Sequence, residues 1–220
     1  MSASRRHYGQ FCGLAAAMDV IGERWTLLIV RELLLGPARF KEIQDNLPGI
    51  APNLLSERLR RLLAAGIITH EPVVGDARGK LYRLTERGAE LQAPLLQLSR
   101  WGLGFLTEED AASGATSSAW GFLAVQAMIY GRPVPPVTES YEFRVDESLF
   151  HIRVADGAAE ARLGPAEGPA MVATTDARTF VQIGAELLTP LNAVITGRLV
   201  IDGEPEAVMR CTQLMGLSQG

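Results

Sequence analysis

The stretch Arg39-Phe-Lys-Glu-Ile-Gln-Asp-Asn-Leu-Pro-Gly-Ile-Ala-Pro-Asn-Leu-Leu-Ser-Glu-Arg-Leu-Arg-Arg-Leu62 decides the fold. Its first part, Phe40–Leu47, has the spacing of a short helix and stops at Pro48-Gly49. Pro52 then opens a second helix that runs to Ala65, with Gly66 at its C-terminal end. Proline suits the first helical turn, where its missing N–H is not needed, and glycine suits a helix end. Leu55, Leu59 and Leu62 recur at intervals of four and three and so share one face. Downstream, two alternating segments, Ile67–Val73 and Lys80–Leu84, flank Gly75-Asp-Ala-Arg-Gly79 and read as a β-hairpin. Two short helices joined by a tight turn, followed by a hairpin, make a winged helix-turn-helix.

At roughly 100° per residue, Asn53, Glu57 and Arg60 point away from the leucine face, with Ser56 on its flank. A helix that reads double-stranded DNA needs short polar groups near its N-terminus, where Pro52, Asn53 and Ser56 stand. It also needs cations for phosphates, and Arg58, Arg60 and Arg61 are available. Arg39 precedes the helix pair, and Arg78 and Lys80 sit where a wing tip would approach the backbone or a minor groove. The expected contact set is therefore Arg39, Pro52, Asn53, Ser56, Arg58, Arg60, Arg78 and Lys80. An arginine-rich helix face also fits a solvated core element. The basic hairpin tip favours the nucleic-acid reading, because a purely structural hairpin has no need of it.

Around this motif, Phe11–Ile21 and Trp25–Leu35 show helical apolar spacing, and Thr85-Glu-Arg-Gly88 starts a long helix expected to reach about Phe105. The polar, non-periodic run from Glu108 to Ser118 marks the expected boundary, giving domains 1–108 and 118–220. The second domain opens with a helix, Ser118–Tyr130. Alternation at Tyr141, Phe143, Val145 and at Phe150, Ile152, Val154 then predicts strands, with Asp156-Gly157 as a hairpin turn. Further strands are expected at 159–163, 171–174 and 198–201, and helices from Thr175 or Asp176 to about Leu188, from Leu191 to Ile195, and from Pro205 to Leu214. The fold class is α+β: a mainly helical winged helix followed by an α+β domain.

The 220 residues are 47% hydrophobic and 21% charged, which excludes wholesale disorder. No apolar run reaches the ~18 residues a membrane span needs, and nothing at the N-terminus resembles a signal peptide, so a cytoplasmic location is expected and no membrane partner. Residues 1–110 carry a net charge of +1 and residues 111–220 a net of −5. Any polyanion footprint is thus local, within 39–80, where seven basic side chains face five acidic ones. Enzyme chemistry finds no foothold: no phosphate-binding loop, no His-Glu-x-x-His, no Cys-x-x-Cys and no nucleophile elbow occur. Three histidines and two distant cysteines, Cys12 and Cys211, give no expectation of a metal, a cofactor or a disulfide framework.

Cys12-Gly-Leu-Ala-Ala-Ala-Met-Asp-Val-Ile-Gly-Glu-Arg-Trp-Thr-Leu-Leu-Ile-Val-Arg-Glu-Leu33 resembles the opening signature of the HxlR-type winged-helix regulators. The resemblance continues through Gly36-Pro-Ala-Arg-Phe40, Gly49-Ile-Ala-Pro-Asn-Leu-Leu-Ser-Glu-Arg-Leu-Arg60, Gly66-Ile-Ile68, Tyr82-Arg-Leu-Thr-Glu-Arg-Gly88 and Trp101. It implies a homodimeric bacterial transcription factor, paired through the first and last helices of the unit and bound to an inverted-repeat operator. Two recognition helices would then meet major-groove faces roughly 34–36 Å apart. The hairpin tip departs from the family pattern in having fewer prolines and more glycines. Cys12 stands where several such proteins carry a thiol that senses oxidants or electrophiles. Cations such as Arg5, Arg6 and His7 would favour its thiolate, whereas a buried cysteine is an inert small hydrophobe.

Residues 118–220 resemble the sterol carrier protein type two fold. The resemblance rests on Ser148-Leu-Phe-His-Ile-Arg-Val-Ala-Asp-Gly157, Pro169-Ala-Met-Val-Ala-Thr-Thr-Asp-Ala-Arg-Thr-Phe180 and Leu188-Thr-Pro-Leu-Asn-Ala-Val-Ile-Thr-Gly-Arg-Leu-Val-Ile-Asp-Gly-Glu204. It implies an apolar tunnel for a small hydrophobic ligand, with Phe143, Phe150, Ile152, Phe180, Leu187, Leu191 and Ile195 as candidate walls. A domain of this size needs about that many apolar residues simply as core, and one that had lost its cavity would serve only as added dimer surface. The sequence thus points to a ligand-responsive DNA-binding regulator. A Cys12 redox switch, and a ligand carrier whose winged helix does not bind DNA, are the competing readings.

Overall fold

The computed structural model describes residues 7–73 and 75–217, without the side chains of Ala77 and Arg78. Two compact units result, Met1–Leu95 and Leu96–Gly220.

The first unit begins with α1 (Gly13–Ile21) and α2 (Thr26–Leu34). Trp25 caps α2 in the left-handed region at φ 79°, with the Arg24 guanidinium 5.1 Å from its ring centre. A two-residue strand, β1 (Ala38–Arg39), was not foreseen; it pairs with β3 (Asp76–Leu84) through Ala38 opposite Tyr82. Then come α3 (Phe40–Asp45) and α4 (Pro52–Ala64), and β2 (Ile68–Val73), which pairs antiparallel with β3. The sheet order is β1-β3-β2. Between α3 and α4 the chain turns at Gly49, whose φ of 92° excludes most side chains and where an added Cβ would stand 3.7 Å from the Trp25 ring. Leu55, Leu59 and Leu62 are buried with Ile29, Ile43 and Ile68 in one core.

The long helix expected from Thr85 to Phe105 is broken. A single turn, α5 (Glu86–Ala89), capped by the Thr85 hydroxyl, is followed by α6 (Gln92–Leu103). Pro94 has no N–H to offer the Glu90 carbonyl, so it can only stand in the first turn of a new helix. The polar run after it also holds structure: α7 (Glu108–Ser113) starts on a reciprocal cap, in which the Asp110 N–H donates to the Thr107 hydroxyl and the Thr107 N–H donates to the Asp110 carboxylate.

In the second unit α8 (Ser118–Ile129) is apolar on all sides and buried accordingly. Strands β4 (Glu139–Val145), β5 (Ser148–Ala155), β6 (Ala158–Leu163), β7 (Met171–Thr175) and β8 (Leu199–Gly203) form one sheet in the order β6-β5-β4-β7-β8. Only the β4–β7 pair is parallel; the others are antiparallel. The β5–β6 hairpin turns at Asp156 and Gly157, both at positive φ, as its twist requires. Helix α9 (Ala177–Gly184) stops four residues earlier than the sequence suggests, and Glu186 lies at φ 58° just beyond it. Helices α10 (Pro190–Ile195) and α11 (Pro205–Met215) complete the unit. The fold class is mixed α+β with a winged helix-turn-helix at the N-terminus. Among the described residues no helix is long and apolar enough to cross a membrane.

Candidate functional site

Helix α4 presents two different faces. Asn53, Ser56 and Arg60 fall within roughly 60° of arc and all are exposed. The Asn53 side-chain oxygen accepts the Leu54 N–H at 3.0 Å, which leaves its amide NH₂ outward. Among the described residues, the side chains of Arg60 and Lys80 make no hydrogen bond or ion pair, and both residues are exposed. Pro52 stands exposed at the first helical position. These side chains form a polar, cationic surface with its donors unspent.

Arg58 is elsewhere. It is 7% exposed, and its Nε donates to the Arg24 carbonyl at 3.2 Å while Nη2 meets Glu23 Oε2 at 2.9 Å. It ties α4 to the turn between α1 and α2, and its guanidinium is turned away from the exposed face. Arg61 is also engaged, with Glu57 at 2.6 Å and Glu23 at 3.1 Å. Arg39 is half-exposed, 3.8 Å from Asp76 of the hairpin, and its N–H donates to Glu42 Oε2 at 2.6 Å, which starts α3. Arg78 belongs to β3, but its side chain lies outside the described residues.

Cys12 is exposed at the start of α1. Backbone N–H groups of Ala15 and Leu14, at the open helix end, hold its thiol below the ordinary value. Arg5 and Arg6 lie outside the described residues, and His7 is engaged with Asp19 at 2.9 Å. Apolar side chains are exposed nearby in sequence, Phe11 and Leu14 at α1, and again at Leu98, Trp101 and Phe105 on and after α6.

The second unit holds an apolar cavity of about 60 Å³ over the β4-β7-β8 half of its sheet. Phe143 and Phe180 line it as expected. Phe150 and Ile152 do not: both are fully buried, and Phe150 sits among Phe122, Phe143 and Phe180 with ring centres 5.6–6.1 Å apart. Leu187 is half-buried but not on the wall, and Leu191 and Ile195 are 57% and 72% exposed. The walls that sequence reasoning missed include Met128, Met171, Met215 and Cys211. Burial, and then the nearby Glu139, push the Cys211 thiol well up, so it stays protonated. Beneath it, Glu139 takes both Arg210 Nε and Nη2 at 2.7 Å and accepts the Tyr141 hydroxyl. Among the described residues no group of three or more His, Cys, Asp or Glu could hold a metal ion.

The family profile of the HxlR-like helix-turn-helix matches residues 20–110. The HTH-type transcriptional regulator YodB of Bacillus subtilis is 34% identical over 97 residues, which cover 44% of this chain and 87% of YodB. This chain belongs to the HxlR-like family. An HTH-type transcriptional regulator of Mycobacterium bovis is 42% identical over 103 residues, or 47% of this chain. The chain spans only 63% of that relative's length. Among solved structures, the reduced form of YodB is 34% identical, covering 45% of this chain and 98% of that one, with a TM-score of 0.38. The oxidized form of the redox regulator HypR is 34% identical over 41% of this chain and 94% of that one, with a TM-score of 0.39. All these matches concern the winged-helix half or little more, and the relatives are named as transcriptional regulators.

Proposed function

We propose that this HxlR-like chain is a homodimeric DNA-binding regulator that reads an inverted-repeat operator with α4 and the β2–β3 wing. The observation that carries the reading is the exposed α4 face, where Asn53, Ser56 and Arg60 keep free donors, together with the exposed wing residue Lys80, whose ammonium has no partner among the described residues. Asn53 and Ser56 suit base edges, and Arg60, Lys80, Arg39 and Arg78 suit phosphates. Exposed Phe11 and Leu14 at α1, and exposed Leu98, Trp101 and Phe105 on and after α6, supply apolar surface that pairing two copies would bury. The second unit holds a small hydrophobic effector in its apolar cavity, in line with its resemblance to sterol carrier proteins. That effector alters operator affinity by binding one dimer state better than another.

Anisotropy titration of the purified chain against its own upstream intergenic DNA, at several salt concentrations, tests the DNA reading. Binding should be sequence-specific and weaken with a log–log slope of about −0.9 per phosphate contact. Absence of binding both to that DNA and to genomic fragments at low salt would leave the ligand-carrier reading standing in its place.

A second reading has its own observation: the Cys12 thiol is exposed, and the backbone N–H groups of Ala15 and Leu14 at the α1 N-terminus hold it below its ordinary value. On that reading oxidant releases the wild-type protein from DNA and leaves Cys12→Ser bound. An unchanged response in Cys12→Ser removes it.

A further inference from the structure

The cavity of the second unit carries more information than its apolar character. Its walls come from the sheet (Phe143, Met171, Ala173), from α8 (Met128) and from α11 (Cys211, Met215). No charged side chain is among them. The nearest ion pair, Glu139 with Arg210, is closed on itself: the guanidinium uses Nε and Nη2 on the carboxylate, and the carboxylate also takes the Tyr141 hydroxyl. The one wall hydroxyl, Thr212, donates to the Val208 carbonyl at 2.7 Å and has only lone pairs left to offer. A carboxylate or phosphate enclosed by this lining would lose its water and meet no cation on the wall, which is costly in an apolar interior; the Arg132 guanidinium lies off the wall, against Gly216.

Size narrows the class further. About 60 Å³ is far below the ~300 Å³ at which pockets for drug-sized ligands begin, so the space as it stands encloses neither a four-ring sterol nor a long acyl chain. The sulfur-bearing walls can give way. Cys211 Sγ lies 3.9 Å from Met215 Sδ, and Met128 Sδ faces the open side of Gly184, 3.6 Å from where a Cβ would stand. Methionine is unbranched and readjusts, and its sulfur makes favourable contacts with aromatic rings of about 0.3–1.5 kcal/mol. An apolar cavity of about 150 Å³ is enough for benzene, so a one-ring ligand requires these methionines to repack.

We infer that the second unit binds a compact, uncharged aromatic molecule of about one ring, held between Phe143, Phe180 and the sulfur atoms of Met128, Met171, Met215 and Cys211. This rests on the effector reading of the second unit and makes it specific. On this inference sterols, fatty acids and acyl thioesters are not its ligands.

Labelling the methionine methyl groups of the full chain with carbon-13, and titrating with toluene and separately with benzoate and decanoate, tests it. Toluene should shift the Met128, Met171 and Met215 methyl signals saturably, and the two acids should not. Ala173→Leu fills the cavity from the sheet side and should weaken toluene binding at least tenfold. Gly184→Ala adds one methyl at ordinary contact distance, so it folds in any case and should weaken binding by a smaller factor. Decanoate or benzoate moving the same methyls would overturn the inference and leave the effector reading intact. Toluene shifts that persist in both variants would place the ligand elsewhere and overturn it too. If neither toluene nor the acids move these signals, the inference and the effector reading fall together.

Discussion

Arg58 and Arg60 are two residues apart, and the structure gives them different surroundings. Replacing Arg58 with Ala removes a charged donor from the Arg24 carbonyl and strips a buried aliphatic stem from between α4 and the α1–α2 turn. The lost hydrogen bond is worth about 1.5–3 kcal/mol, and the stem up to about 2 kcal/mol at roughly 0.8 per methylene. Glu23 keeps Arg61 at 3.1 Å, which limits the damage on the acidic side. The net loss is about 3 kcal/mol, or a fall of about 1–3 M in the urea midpoint of the first unit. Arg60→Ala should change that midpoint by less than about 0.5 kcal/mol in stability. Its effect falls on DNA: the salt slope should flatten by about 0.9 per lost phosphate contact, close to 2 for a dimer. Urea titration followed by tryptophan fluorescence, with anisotropy on operator DNA at two salt concentrations, measures both. The reasoning is refuted if Arg58→Ala keeps full stability and loses DNA binding, while Arg60→Ala unfolds the unit.

Three further outcomes follow from the packing. Gly88→Ala places a Cβ into the Ile67 carbonyl, which already accepts the Thr85 N–H at 3.0 Å, so calorimetry should show a loss of at least about 2 kcal/mol. Phe150→Ala empties the centre of the phenylalanine cluster and should cost about 3–5 kcal/mol, whereas Ile195→Ala, on the exposed face of α10, should stay within about 0.5 kcal/mol in the same urea assay. The hydrogen bond from Arg210 holds the Glu139 carboxyl below its ordinary value of 4.5, so the folded state binds fewer protons than the unfolded one there. Stability from this pair is therefore complete above pH 4.5 and is lost as pH falls below it. Midpoints measured from pH 7 to pH 3 should show a shallower acid limb for Glu139→Gln.

The helix-turn-helix was legible because a regular apolar spacing fixes a face: Leu55, Leu59 and Leu62 are all buried. The same rule contained the correction for Arg58. It is three residues after Leu55 and four before Leu62, and so lies on their side of the helix. Its charge suggested solvent, but burial was possible because Glu23 and the Arg24 carbonyl were waiting from a distant turn, and no local pattern signals that. The cavity walls were illegible for a different reason. Phe143, Phe150 and Ile152 all point to the helix-covered face, yet only Phe143 borders the cavity. What decides is the strand order β6-β5-β4-β7-β8, which puts β5 under α8 and leaves space over β7 and β8. Alternation reveals the face of a sheet and is silent on the order of its strands.

That strand order also sets when the cavity can exist. Its central parallel pair joins Tyr141 to Met171, and its last wall is α11. The first unit pairs β2 with β3 through a short hairpin and packs helices that are neighbours in the chain, a topology that closes quickly. Translation adds about 5–20 residues per second, so the 122 residues from 96 to 217 need roughly 6–25 s. On a ribosome, the winged helix is therefore finished well before anything can occupy the space beside Met215. A nascent chain that has not yet reached Pro205 has the whole winged-helix sequence synthesised and still lacks the wall that α11 supplies, so every newborn copy passes through an interval with the helix-turn-helix made and the cavity unmade.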